Sequence, residues 1–168
     1  MTAVMDAAGA ARGLDRARVV LIRDGRVAAI ERFWAGRHYW VMPGGGVEEG
    51  ETVVQAAVRE AAEELGVPIR LGPLRAIIHC RLADGSMQRH WSFEADADTD
   101  DIVIAAGPEA AGPPERGTYR AIWLDLDQLE PARIWPPALA SLLAANKGNW
   151  PDAVTEVCQE PLGEPWPS

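Results

Sequence analysis

Cysteine is scarce in this 168-residue chain: Cys80 and Cys158 stand far apart with no Cys-x-x-Cys pair. That excludes a disulfide framework and a thiolate zinc site and favours a reducing, cytoplasmic setting. Histidine is as sparse. His79 and His90 lack metal-ligand spacing and read as ordinary strand residues, and no Ser-His-Asp or Cys-His pattern supports nucleophilic catalysis. Basic charge is also short: 16 Lys and Arg against 25 Asp and Glu leave a net charge of −9, with no local concentration of basic residues. Such a surface repels polyanions, so neither a nucleic-acid polymer nor an anionic membrane is expected as a partner. No apolar run is long enough for a membrane-spanning helix. Residues 1–16 lack the basic start and apolar core of a secretion signal and read as a flexible Ala/Gly-rich lead.

What is present is concentrated in one segment. Between Gly45 and Val67 the chain reads GGVEEGETVVQAAVREAAEELGV, with Gly45, Glu51, Arg59, Glu60, Glu63, Glu64 and Gly66 in one spacing. Thr52 and Gln55 form a capping box and Gly66 supplies a left-handed stop, so a helix is expected over Val53–Leu65. On that helix Val54, Val58, Ala61 and Leu65, with Ala57 beside them, form an expected packing stripe, while Glu60, Glu63 and Glu64 gather on the other side. Like charges ~4 Å apart repel by roughly 4 kcal/mol at an effective dielectric near 20. Arg59 can pair with Glu63 or Glu51, but one guanidinium does not neutralise the group. A hard divalent cation does, and an all-oxygen donor set suits Mg²⁺ or Mn²⁺. The alternative is a solvated acidic helix face, which requires neither the Arg nor the flanking glycines. Pro43-Gly44-Gly45-Gly46 lies just ahead, where glycine permits close backbone approach to a metal or phosphate.

The Gly45–Val67 segment resembles the signature box of the Nudix hydrolases, with every fixed position present. More loosely, the resemblance runs from the first strands to about Leu143. It implies an α/β fold, the Nudix α/β/α sandwich with a mixed β-sheet. It implies Mg²⁺-dependent cleavage of the diphosphate in a nucleoside diphosphate derivative, a small-molecule substrate. By the same resemblance Glu60 and Glu64 match the principal metal ligands, Glu63 a third ligand or base-positioning residue, and Gly45 a backbone-carbonyl ligand. Glu51 and Arg59 match the residues that brace the loop and helix. Ala61 stands where the family more often carries a larger aliphatic residue. A further carboxylate from beyond the box is expected, Glu115 first and Glu109 second, so the base is Glu60, Glu63 or Glu115. The alternative function is a nucleotide-sensing or binding module that kept the fold and lost turnover.

The remaining pattern gives the architecture. Strands are expected at Ala17–Arg23 and Arg26–Phe33 around an Asp24-Gly25 hairpin turn, then at Tyr39–Met42, Ile69–Leu82, Met87–Ala95 and Tyr119–Leu126. A closing helix is expected at Pro137–Asn146. One domain over 17–146 follows, with residues 147–168 a tail packed on it or extending from it; a homodimer is compatible with this plan. The stretch from Asp96 to Gly117 is longer than a compact domain needs and reads as a lid or specificity element. Arg37, His38 and Trp40, entering the glycine turn, are the expected substrate contacts; Arg32 and Arg89 are further candidates for a substrate phosphate. Around Leu82 to Asp84 neither the proline of ADP-ribose cleaving members nor the tyrosine of dinucleoside polyphosphate members stands. Nucleoside triphosphates or nucleotide sugars are favoured as substrates.

Overall fold

The computed structural model describes residues 14–34, 36–99, 101–102 and 118–160. In chain order the strands and helices are β1 (Asp15–Arg23), β2 (Arg26–Trp34), β3 (Arg37–Val41), α1 (Val53–Leu65), β4 (Ile69–Arg81), β5 (Met87–Ala97), β6 (Thr118–Asp125), β7 (Ile134–Trp135), α2 (Pro137–Asn146) and β8 (Thr155–Gln159). The strands run in the order β7-β3-β2-β1-β5-β4-β8, with β6 added on β2. Pairing is mixed. β1 with β5, β3 with β7 and β4 with β8 are parallel, and the other pairs are antiparallel.

A fork in this sheet sets up everything that follows. Beyond the Asp24-Gly25 turn, β1 and β2 pair only at Ile22–Val27 and Arg23–Arg26. They then diverge, β1 to lie along β5 from Asp15 to Leu21 and β2 to take β3 from Ile30 onward. Residues 43–47 fill the gap. Val19 N–H donates to Pro43 O and Ala17 N–H to Gly45 O, both at 2.9 Å, so the glycine turn serves β1 as a substitute strand.

Strand alternation distributes β1 between two layers. Ala17 and Val19 pack with Ala56, Ala57 and Ala61 of α1, while Val20 packs with Ile78, Cys80 and the α2 residues Leu139, Ala140 and Leu143. Each fully buried leucine contributes roughly 1.5–3 kcal/mol. The sandwich of helix, sheet and helix is the expected one. Ala61, fully buried, lets α1 approach the sheet closely where a larger side chain would hold it off.

The packed face of α1 differs from expectation. The buried stripe of α1 is Val53, Ala56, Ala57, Ala61 and Leu65, whereas Val54 and Val58 are 47% and 45% exposed. The helix is rotated from the expected orientation because it rests on its smallest residues, and that rotation carries Glu60 and Glu64 toward the sheet. Part of the segment read as a tail is strand: Thr155–Gln159 pairs in parallel with Ala76–Cys80. Gly72-Pro73 is absorbed as a register irregularity within β4. None of the described helices is long and apolar enough to cross a membrane.

Candidate active site

The glycine turn has room for hydrogen only. A Cβ on Gly44, whose φ is +131°, would lie 2.0 Å from the Ala17 carbonyl oxygen, and one on Gly45 would lie 2.3 Å from Glu60 Oε1. The first contact seats the turn on β1; the second seats it on a carboxylate.

The carboxylates come from α1, whose start is fixed by the reciprocal capping box of Thr52 and Gln55. Glu64 is held from two sides, since the Gly44 N–H donates to Oε2 at 2.5 Å and the Tyr119 hydroxyl donates to Oε1. Burial outweighs these bonds and pushes the Glu64 carboxyl up to about 7. Burial also raises Glu60, against the opposing hydrogen bond from Arg59. Glu63 is half-exposed and sits 3.6 Å from Arg59.

Arg59 ties this group to the turn. Its Nε and Nη2 donate to the two oxygens of Glu51 at 2.9 and 3.0 Å, Nη1 donates to Glu60 Oε1 at 2.8 Å, and Nη2 also donates to Gly46 O at 3.0 Å. The hydrogen bond with Glu51 raises the Arg59 guanidinium and lowers the Glu51 carboxyl. A guanidinium fork suits this work, because its donors are fixed in one plane.

From beneath, a second arginine reaches the same turn. Arg18 is only 4% exposed. Its Nη1 donates to Met42 O at 2.8 Å and Gly44 O at 2.7 Å, and its Nε donates to His90 Nδ1 at 3.0 Å. Arginine only donates, so His90 Nδ1 carries the lone pair and Nε2–H donates to Gln88 Oε1 at 2.7 Å. Burial and the adjacent Arg18 charge depress His90 well below its ordinary value, and burial lowers Arg18 to about 10.

Comparisons with known proteins give the family and the fold. The NUDIX domain model matches residues 8–145. The chain belongs to the Nudix hydrolase family. Among curated relatives, it is 32% identical over 124 residues to an RNA pyrophosphohydrolase of Erythrobacter litoralis, covering 64% of this chain and 72% of the relative. An RNA pyrophosphohydrolase of Sphingopyxis alaskensis is 47% identical over 45 residues, 27% of this chain and 28% of the relative. Several of the curated matches are thus confined to about a quarter of the relative's length. The fold matches that of a NUDIX hydrolase crystal structure from Nitrosomonas europaea, with a TM-score of 0.67 at 17% identity over 88% of this chain and 78% of that one. A MutT NUDIX hydrolase from Burkholderia pseudomallei gives 0.58 at 25% identity, covering 75% and 93%.

In this Nudix chain the expected site residues divide. Glu60, Glu64, Gly45, Glu51 and Arg59 meet at the glycine turn, with Glu63 at its outer edge. The Gly45 carbonyl accepts the Ala17 N–H, so what Gly45 turns to Glu60 is its Cα. Tyr119, Arg32 and Tyr39 are cross-strand partners and therefore share the face on which Tyr119 meets Glu64. Trp40 and His38 lie on the opposite face. There Arg133 stacks on the Trp40 ring at 4.4 Å and lies 3.0 Å from His38 Nδ1, while Glu31 takes His38 Nε2 at 2.8 Å. Arg37 is exposed and opposes Trp34 at the start of β3, on the Tyr39 side. Arg32 is better placed than His38: its guanidinium covers Tyr119 at 4.7 Å and its buried Nε has no hydrogen-bond partner among the described residues. Arg89 is committed to Asp15 at 2.6 and 2.8 Å. Glu115 and Glu109 lie outside the described residues, as does most of the 96–117 stretch.

The sequence reading passed over Arg18 and Tyr119. A signal for Arg18 existed: it is the one charge in the apolar run Ala17–Ile22.

A hard divalent ion fits the residues present. The donors are all oxygen, burial raises two of the carboxyls despite the nearby Arg59 and Arg18 charges, and the Gly45 position leaves the Glu60 oxygens uncovered by any Cβ. Among the described residues no three carboxylate, His or Cys side chains already converge on one point, because Glu60 is engaged by Arg59 and Glu64 by Gly44 and Tyr119.

Proposed function

We propose that this protein hydrolyses the diphosphate linkage of a nucleoside diphosphate derivative with Mg²⁺ or Mn²⁺, acting on a nucleoside triphosphate or nucleotide sugar. The observation that carries this reading is the pair Glu60 and Glu64, raised by burial and seated against a turn that tolerates no side chain. Glu60, Glu63 and Glu64 are the proposed ligands. The bound ion supplies Lewis acidity and neutralises charge on the phosphoryl oxygens.

The chain itself positions and moves protons. Water attacks one phosphorus, the bridging P–O bond breaks, and the proton of the water passes to a carboxylate: Glu60, Glu63, or Glu115 from beyond the box. Arg59 holds the Glu60 oxygen at 2.8 Å, and Gly44 and Tyr119 hold both oxygens of Glu64, so the carboxylates are kept at the turn and exchange part of these bonds when an ion binds. Arg32, on the Tyr119 face with an unpartnered Nε, is the proposed phosphate contact in preference to His38.

The names of the curated relatives raise the 5′ end of an RNA as a second substrate, since its terminal phosphates carry the same linkage. The net charge of −9 favours the small substrates. A panel of nucleoside triphosphates, nucleotide sugars, dinucleoside polyphosphates and a 5′-triphosphorylated oligonucleotide, assayed with each ion, tests the reading. Metal-dependent release of a nucleoside monophosphate from the first two groups is expected. Preference for the oligonucleotide would replace the substrate, and binding with no turnover across the panel would make the protein a nucleotide-sensing module.

A further inference from the structure

Arg18 is an expensive residue to bury. An isolated charge taken from water costs several kcal/mol, and buried charges are ordinarily paired with an opposite charge. The hydrogen bonds of Arg18 run instead to neutral acceptors, the carbonyls of Met42 and Gly44 and the imidazole of His90. An apolar side chain in its place would relieve the charge but leave those three buried acceptors without a donor. Charge pairing therefore does not account for an arginine here. Its geometry accounts for it better.

The two carbonyls that Arg18 holds flank Pro43, and the second belongs to Gly44, whose own N–H is aimed at Glu64 Oε2 at 2.5 Å. The peptide that carries the Gly44 N–H is held at Pro43 O by Val19, and Arg18 fixes the carbonyls of the peptides on either side of it, which limits how that amide can turn. Arg18 is fixed in turn. His90 takes its Nε, and Gln88 takes the far nitrogen of His90, which locks the tautomer that can accept. His90 is fully buried and its ring meets Trp135 edge-on at 5.8 Å, so it has little freedom to turn. A continuous chain thus runs from Gln88 through His90, Arg18 and Gly44 to the Glu64 carboxyl.

We propose that Arg18 is a positioning residue for catalysis, orienting the Gly44 amide so that Glu64 is held for the metal, with His90 and Gln88 as its supports. This rests on the hydrolase reading above. Groups that orient metal ligands typically change metal affinity or activity by 10- to 100-fold when removed. A residue that only fills space changes neither.

The test uses the full-length protein and its Arg18→Met and Arg18→Lys variants. Each is followed by steady-state kinetics on the best substrate of the panel and by the rise in melting temperature of metal-free protein on titration with MgCl₂. Arg18→Met should fold with a lowered melting temperature, because the Met42 and Gly44 carbonyls and His90 Nδ1 lose their donor. Its kcat should fall roughly 10- to 100-fold with KM changed little, and its Mg²⁺ midpoint should weaken by a similar factor. Arg18→Lys keeps the charge but not the fork and should show the same losses. Wild-type kcat and midpoint in folded Arg18→Met would overturn the proposal, as would full rescue by lysine, which would assign the effect to charge. Should neither variant fold, His90→Phe removes the support while leaving Arg18, and should lower kcat in the same direction; unchanged kinetics there would also overturn it. A wild type with neither turnover nor Mg²⁺ response would fail the hydrolase reading itself, and the positioning role with it.

Discussion

Arg59 and Arg18 grip the same glycine turn from opposite sides, and their partners differ in kind. Arg59 lies at the surface side, takes Glu51 and Glu60, and touches Gly46 O; Arg18 lies beneath, takes an imidazole and two carbonyls, and touches Gly44 O. The first is an ion-pair brace. The second is a charge stabilised only at a distance by Glu64 and Glu60. Removing one member of a partly buried ion pair leaves the other charge uncompensated, whereas removing Arg18 relieves a buried charge but leaves two carbonyls and an imidazole nitrogen without their donor. The two arginines therefore predict stability losses of different origin around one site.

The largest expected effect tests what both arginines serve. Glu60→Gln and Glu64→Gln should each lower turnover by orders of magnitude while the fold survives, since each relieves a raised carboxyl; wild-type kcat in either would remove it from the site. Arg59→Ala should cost about 3 kcal/mol as well as activity, and a melting temperature equal to that of the wild type would mean that its ion pairs do not brace the site. A comparable effect should appear in pH. The Glu64 carboxyl binds its proton more tightly in the folded state, about 7 against 4.5, so its contribution is fully present below pH 4.5 and is lost as pH rises toward 7. His90 acts oppositely, its depressed value removing stability as pH falls below 6.5. In metal-free protein the wild type should lose about 3 kcal/mol relative to Glu64→Gln between pH 4.5 and 7. Parallel denaturation profiles for the two proteins would refute that. The smallest effect belongs to the outer face of α1: Val58→Lys should move stability by no more than about 0.5 kcal/mol, where a packing residue would move it by several.

The Arg59 side was legible because its partners are close in sequence. The span of α1, its capping box and its Gly66 stop were readable for the same reason, since each signal is local. The face of α1 was not. Two stripes fit the same period, one through Val54 and Val58 and one through Ala56 and Ala57, and the sheet selected the smaller residues. Strand β3 was found, but which of its residues face Tyr119 depends on the register with β2 and β6, which no local pattern reveals, and Tyr119 was passed over. Arg18 finds His90 only because β1 and β5 pair in parallel, 72 positions apart. Strands β7 and β8, short and dependent on distant partners, carried no pattern of their own.

That parallel pairing separates the signature from the site in the order of assembly. The whole box is complete once Val67 has been made, yet the substitute strand it follows is anchored to β1, β1 is matched along β5, and Glu64 meets the hydroxyl of Tyr119 in β6. Closing loops of that length must precede any gain from the contacts they bring. A growing chain that ends before Met87 therefore carries every residue by which the family is known, yet lacks His90 and Tyr119, the later-strand partners of Arg18 and Glu64.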